Sequence, residues 1–164
     1  CMAYIAFPKE NLFGCGLICD GRILRGSRGF AGEVLYMRNQ TWEEQRKEIA
    51  DPRGRADIVL RMLRPLTALL DPARIVVADG EMPAEEIERI RRESAGMIRS
   101  DFLPELRFEP DYAEDNFRGL FDLTKRELYR SLEAASRACG SARTGQIGAI
   151  ARAAEEESDR RIAR

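Results

Sequence analysis

The segment that decides the fold reads LFGCGLICDGRILR and covers residues 12–25. It holds one apolar run, then Asp20-Gly21, then a second and shorter apolar run. Asp-Gly is typical of a two-residue hairpin turn, because both central positions of that turn need a positive φ. The segment therefore predicts two antiparallel strands, over residues 12–19 and 22–25.

Further elements are predicted on both sides of this hairpin. An apolar run over residues 2–7 predicts a strand that Pro8 ends, and residues 26–32 hold too many glycines for a regular element, so they predict a shaped loop. Thr41 and Glu44 form a helix start, and that helix breaks at Asp51-Pro52. The remaining predictions are a helix over 55–70, a buried strand over 74–78, a helix from Pro83 to about residue 100, a strand over 104–109 and a helix over 113–135.

This order predicts an α/β protein whose mixed sheet has helices on its faces. The predicted order of elements is βββαβαβα. Two segments are expected, a globular lobe over residues 1–135 and a charged C-terminal extension over residues 136–164, either helical or flexible. Cys1 precedes Met2, so we expect the chain to continue upstream.

The composition limits the classes of function. The 164 residues are 44% hydrophobic and 34% charged, as in one folded domain, and 27 basic against 28 acidic residues give a net charge of -1. This balance is not typical of a DNA-binding surface, which neutralises phosphates with clustered cations. The chain has no histidine, which excludes Ser-His and Cys-His catalysis and every metal site with a histidine ligand.

The cysteine count and the hydropathy indicate a compartment. Four cysteines (Cys1, Cys15, Cys19 and Cys139) are too few and too irregularly spaced for a zinc clamp, so we expect reduced and mostly buried thiols in a cytoplasmic protein. No apolar run approaches the ~18 residues of a membrane helix, so no membrane partner is expected.

A longer pattern resembles the ROK family of repressors, open reading frames and kinases. Residues 14–34 read GCGLICDGRILRGSRGFAGEV and are similar, without gaps, to the family's pattern around G-E-I-G-H. A second match is LLDPARIVV at residues 69–77, and DNFRGL at 115–120 is a looser one. The resemblance covers residues 2–132 and implies the C-terminal half of an actin-like ATPase fold, which is ribonuclease H-like.

The resemblance implies a sugar site beside the glycine-rich loop. Glu33, with Gly32 before it, stands where the family hydrogen-bonds sugar hydroxyls, and Tyr36 stands where the family has a histidine that contacts metal and sugar. Tyr36 and Trp42 are candidates for stacking on a sugar ring. The alternatives are that Glu33 caps loop N–H groups and that the two aromatic residues pack in the ordinary way.

The departures from the family pattern concern the nucleotide. Gly14, Gly16 and Gly80 are the remnants of a nucleotide site, but Glu10-Asn11-Leu12 replaces the flexible glycines expected before Gly14. A carboxylate there repels phosphates. The family's cysteine-rich zinc loop is also missing. We therefore expect no catalytic residue, no metal and no cofactor in this chain.

These observations lead to three functional hypotheses. The first is a sugar-sensing effector and dimerisation lobe of a ROK-type transcriptional regulator, with a carbohydrate ligand, a homodimer and DNA contact only through an upstream domain. The second is part of a sugar kinase that uses ATP and Mg²⁺. The third is an interaction domain in which the fold survives and the binding site does not.

Overall fold

The computed structural model describes residues 1–8 and 13–138, with side chains through residue 134. Its elements confirm the α/β class. In chain order they are β1 (Met2–Ala6), β2 (Gly14–Cys19), β3 (Arg22–Ile23), α1 (Trp42–Ala50), α2 (Pro52–Leu70), β4 (Arg74–Ala78), α3 (Ala84–Met97), β5 (Glu105–Glu109) and α4 (Tyr112–Ala138), with 3₁₀ helices at Val34–Met37 and Ser100–Phe102. The bounds agree with those predicted from sequence to within about one helical turn.

The five strands form one mixed sheet in the order β3-β2-β1-β4-β5. β2 runs antiparallel to both of its neighbours, β1 and β3. β4 runs parallel to β1 and to β5. The predicted turn between β2 and β3 is confirmed, because Asp20 and Gly21 adopt φ values of 51° and 69°. The strand beyond that turn is shorter than expected and ends at Ile23.

The connection from β3 to β4 holds two helices, so the predicted order βββαβαβα is wrong at this point and the order is βββααβαβα. The first helix begins with the expected capping box, in which Thr41 and Glu44 exchange hydrogen bonds. Asp51 then ends α1 and also caps α2, where its carboxylate accepts a hydrogen bond from the amide of Arg53 at 3.3 Å. Pro52 is suited to the first position of a helix and cannot donate a hydrogen bond to the helix before it, so one helix becomes two.

The core lies between one face of the sheet and the helices α2 and α3. Alternate residues of the central strands point to this face, as the period of a strand requires. They pack with apolar residues that recur along α2 and with Ile90 of α3. Representative fully buried side chains are Ile5, Ile58, Leu63, Ile75 and Ile90.

The chain divides into two compact units, Cys1–Tyr112 and a second that begins at Ala113. Within the second unit, α4 exposes several large apolar side chains, among them Phe117, Leu120, Phe121 and Leu128. The boundary expected at residues 135 and 136 stays a prediction. The extension beyond residue 138 lies outside the described residues. No helix in the described part of the chain is long and apolar enough to cross a membrane.

The expectation of four reduced thiols is wrong for two of them, because Cys1 and Cys19 form a disulfide. The register explains it: Met2 pairs with Ile18, so the next pair outward sets Cys1 against Cys19. Sequence spacing could not reveal this pair, since it depends on how β1 and β2 align. Cys15 is the free cysteine among the described residues, and Cys139 lies outside them.

Candidate functional site

The glycine-rich loop after β3 sets the position of Glu33. Gly26, Gly29 and Gly32 all adopt positive φ values, of 69°, 73° and 93°, which L side chains rarely adopt. The loop closes on itself through a hydrogen bond from the amide of Ala31 to the carbonyl of Arg25, at 3.2 Å. The prediction of a shaped loop is therefore confirmed.

Gly32 has a second reason to be glycine. A Cβ at this position would collide with the backbone carbonyl oxygen of Cys15 in β2. The loop thus lies directly against the strand. The amide of Val34 donates to the carbonyl of Gly32 at 2.7 Å in a tight turn, and the amide of Tyr36 donates to the carbonyl of Glu33 at 3.2 Å in the 3₁₀ helix. This close approach fixes Gly32 and Glu33 relative to the sheet.

A cavity of about 230 Å³ opens beside this loop. Leu17 of β2 and the loop residues Phe30, Gly32 and Glu33 line one side of it. The rest of the lining comes from Val34 and Met37 of the 3₁₀ helix and from four residues at the C-terminal end of α2, namely Pro65, Leu66, Leu69 and Leu70. Among the described residues that line the cavity, Glu33 is the only one with an ionisable side chain.

The Glu33 carboxylate is exposed and has no hydrogen-bond or ion-pair partner among the described residues. Its side chain does not cap the 3₁₀ helix that follows it. The alternative in which Glu33 caps loop N–H groups is therefore wrong. A carboxylate without a partner at the mouth of a cavity can accept hydrogen bonds from a ligand without giving up an existing bond.

Three exposed aromatic rings continue from the cavity across the surface. The ring centroids of Phe30 and Tyr36 lie 5.0 Å apart, and those of Tyr36 and Trp42 lie 6.1 Å apart in an edge-to-face arrangement. Tyr36 is 64% exposed, while Phe30 and Trp42 are each more than half exposed. Tyr36 and Trp42 are thus not core residues, and we name Phe30, Tyr36 and Trp42 the aromatic cluster.

The glycines assigned to a nucleotide lie elsewhere. Gly14 and Gly16 are exposed residues of β2, and neither is forced to be glycine by a positive φ or by a close contact. Gly80 follows β4, and a Cβ there would lie 2.6 Å from the carbonyl oxygen of Pro110. Gly14 and Gly80 share one edge of the sheet, because Gly14 pairs with Ala6 and Ala6 with Ala78.

At that same edge, Asp79, the residue after β4, forms a buried ion pair with Arg55. The Nε of Arg55, in the first turns of α2, donates to a carboxylate oxygen of Asp79 at 2.6 Å, with only 8% and 4% of the two side chains exposed. Arg55 also donates to the carbonyl of Ile49 at 3.0 Å, and the second oxygen of Asp79 accepts from the amide of Glu81 at 3.0 Å. Ligands of open α/β sheets usually bind at the carboxyl ends of strands. In this chain, the side chains of Arg55 and Asp79 at that edge already bond to each other.

The thiol of Cys15 lies next to the site without belonging to it. Burial raises the pKa of Cys15 to about 12, although a hydrogen bond with the backbone of Tyr4 opposes the shift. The thiol therefore stays protonated at neutral pH and is a poor nucleophile. Among the described residues, no group of three histidine, cysteine or carboxylate side chains could hold a metal ion.

Sequence reasoning missed the apolar part of the site. Phe30 carried a usable signal, because it is an aromatic residue inside a glycine-rich loop that has no strand or helix to pack it. Leu69 carried another, since it lies outside the buried stripe of α2 and is 76% exposed. The lining as a whole joins residues more than thirty positions apart, which periodicity along one element does not bring together.

Comparisons with known proteins identify no relative of this chain. No family model matches the chain, and neither a curated protein nor a solved structure matches it.

Proposed function

We propose that this chain is the sugar-sensing effector and dimerisation lobe of a ROK-type transcriptional regulator without kinase activity. Its ligand is a carbohydrate that binds at the surface formed by Gly32, Glu33 and Tyr36. The observation that carries the proposal is the free carboxylate of Glu33 beside the exposed aromatic cluster.

Carbohydrates need both of these features. Their hydroxyl groups donate hydrogen bonds, and bonds to a charged acceptor such as a carboxylate are the stronger ones. The C–H face of a pyranose ring is apolar and packs on an aromatic face, which loses little entropy because aromatic side chains have few rotatable bonds. Tyr36 and Trp42 supply such surfaces.

The sheet is compatible with the fold that the proposal requires. Three consecutive antiparallel strands are followed along the chain by β4 and β5. β4 lies parallel beside β1, and β5 lies parallel beside β4. This is the arrangement expected of one half of an actin-like ATPase fold. Fold alone does not fix function, so the proposal depends on the site.

The alternative proposal is a sugar kinase that uses ATP and Mg²⁺. The ion pair of Arg55 and Asp79 counts against it, because both side chains are already committed at the sheet edge where a nucleotide would approach. Opening a buried pair to admit a nucleotide would leave a charge without its partner, which is costly.

The proposal also includes partners and a compartment. A homodimer would bury exposed apolar side chains such as those of α4, and DNA would be bound by a domain upstream of this chain. A cytoplasmic location belongs to the same proposal. Since reducing compartments disfavour disulfides, the Cys1–Cys19 bond must then be dispensable for ligand binding.

The test measures sugar binding through Trp42, which is the single tryptophan of the chain and therefore reports from the site. The protein is titrated with hexoses and N-acetylated hexosamines while Trp42 fluorescence and heat are recorded. We expect saturable binding of at least one sugar. Glu33→Gln should then weaken it by about 1 to 3 kcal/mol, because a bond to a charged acceptor is lost.

Glu43→Gln is the matched control, since Glu43 is an exposed carboxylate that pairs with Lys47 on the surface of α1. It should leave sugar affinity unchanged. Binding of no sugar would favour the interaction domain instead. Transfer of phosphate from ATP to a bound sugar would favour the kinase.

A further inference from the structure

The cavity beside Glu33 does not suit a bare sugar. Apart from Gly32 and Glu33, the described residues that line it are leucine, valine, methionine, proline and phenylalanine. Hydroxyl groups placed against these walls would lose their bonds to water without gaining others, which is unfavourable. The Glu33 carboxylate can receive only the hydroxyls that stay near the mouth.

The size of the cavity indicates what would fill it. An apolar cavity of about 150 Å³ is enough to hold benzene in another protein. The cavity here measures about 230 Å³ and so has room for one six-membered aromatic ring or a short branched alkyl group. Such a group would leave no polar atom without a partner.

The cavity and the polar surface share two residues. Phe30 lines the cavity and also contacts the exposed ring of Tyr36, 5.0 Å away between centroids. Glu33 lines the cavity and has its carboxylate exposed. A ligand that reaches both regions therefore has an apolar part and a hydroxylated part joined by a short link.

We propose that the ligand is a glycoside with an apolar aglycone of about the size of a phenyl ring, whose aglycone enters the cavity while its sugar lies on the aromatic cluster and Glu33. This inference rests on the proposed function. It adds the chemical class of the ligand and assigns the end of α2 to its recognition. The apolar contact supplies affinity and the carboxylate supplies orientation.

The experiment compares matched pairs of ligands on the full chain. Each hexose is offered as its methyl glycoside and as its phenyl glycoside, with phenol alone as a third probe, and affinities are measured by calorimetry. We expect the phenyl glycoside of at least one sugar to bind about tenfold or more tightly than its methyl partner, because more apolar area leaves water. Its binding should also show the more negative heat-capacity change.

Leu69→Ser tests the site without threatening the fold, since Leu69 is 76% exposed. It should weaken the binding of the phenyl glycoside at least about threefold and leave the affinity for the methyl glycoside unchanged, because it removes only part of the apolar wall of the cavity. Leu24→Ser is the matched control, because Leu24 is also an exposed leucine and does not line the cavity. It should change neither affinity.

The outcomes separate this inference from the function on which it rests. Equal affinity for phenyl and methyl glycosides overturns the inference and leaves sugar binding intact. A phenyl preference that Leu69→Ser does not reduce overturns the location in the cavity. Binding of neither glycoside, or equal binding of phenol and phenyl glycoside, overturns the proposed function itself.

Discussion

The guanidinium of Arg55 and the carboxylate of Asp79 form a buried ion pair across 2.6 Å, joining the start of α2 to the residue that follows β4. Each partner also has a hydrogen bond to the main chain, Arg55 with the carbonyl of Ile49 and Asp79 with the amide of Glu81. The pair therefore ties the end of α1 and the start of α2 to the loop after β4, in which Gly80 lies.

Removing one partner should destabilise the fold. Asp79→Ala leaves the Arg55 charge buried without its partner, and we expect the free energy of unfolding to fall by about 3 to 5 kcal/mol. Urea denaturation measures this. Asp101→Ala is the control, because its pair with Arg99 is exposed, and it should cost no more than about 1 kcal/mol. Similar losses for both variants would contradict a structural role for the buried pair.

Gly32→Ala should destabilise the protein for two reasons, a positive φ and a collision of Cβ with the carbonyl of Cys15. Gly29→Ala separates the two, because Gly29 has a φ of 73° but a Cβ added there would meet no atom within 4 Å. We expect Gly29→Ala to cost about 1 to 2 kcal/mol from backbone strain alone. Gly32→Ala should cost clearly more in the same thermal unfolding experiment. Equal costs would mean that the loop does not lie against β2.

Reduction of the Cys1–Cys19 disulfide should lower the free energy of unfolding by about 3 kcal/mol, because the bond closes a loop and restricts the unfolded chain. The measurement is urea denaturation with and without dithiothreitol. A variant with both Cys1→Ser and Cys19→Ser should show no response to the reductant. If the unsubstituted protein is equally indifferent, the bond does not form in solution.

The reactivity of Cys15 should depend on pH in an unusual way. Only the thiolate is alkylated, and burial raises the pKa of Cys15 to about 12. Its alkylation rate should therefore keep rising about tenfold per pH unit between about pH 8 and pH 10, where an ordinary thiol with a pKa near 8.5 levels off. Iodoacetamide labelling on a Cys139→Ser background measures the rate. A plateau near pH 9 would show that the thiol is not buried.

Local chemistry made much of the fold predictable. Asp20 and Gly21 specify their turn through their own φ preferences, and Thr41 with Glu44 specifies a helix start within one turn of chain. What failed depends on contacts between distant residues. The partner of Cys19 follows from strand register. The predicted order counted one helix between β3 and β4, where the chain has the short α1 followed by α2.

In the candidate site, too, the parts set by local sequence were predictable and the parts set by distant contacts were not. The glycine pattern predicted the shaped loop over residues 26–32, and the choice of Gly32 and Glu33 as site residues came from the resemblance to the ROK family. The cavity was not predicted, because it exists only once the C-terminal end of α2 lies across from the loop. Neither the apolar character of the site nor its connection to Tyr36 through Phe30 can be read from a single segment.

β1 is the central strand of the sheet, so the fold depends on the first residues of this chain. β1 is hydrogen-bonded to β2 on one side and to β4 on the other, and no other strand in the described part of the chain joins those two. Deleting the first six residues would split the sheet into two separate ribbons, β3-β2 and β4-β5. The core would also lose the buried side chains of Ala3 and Ile5, and a ribbon of two strands without sufficient packing is marginally stable at best in water. Tags or cleavage sites placed at the amino end must therefore leave this short strand intact, or the whole domain is lost with it.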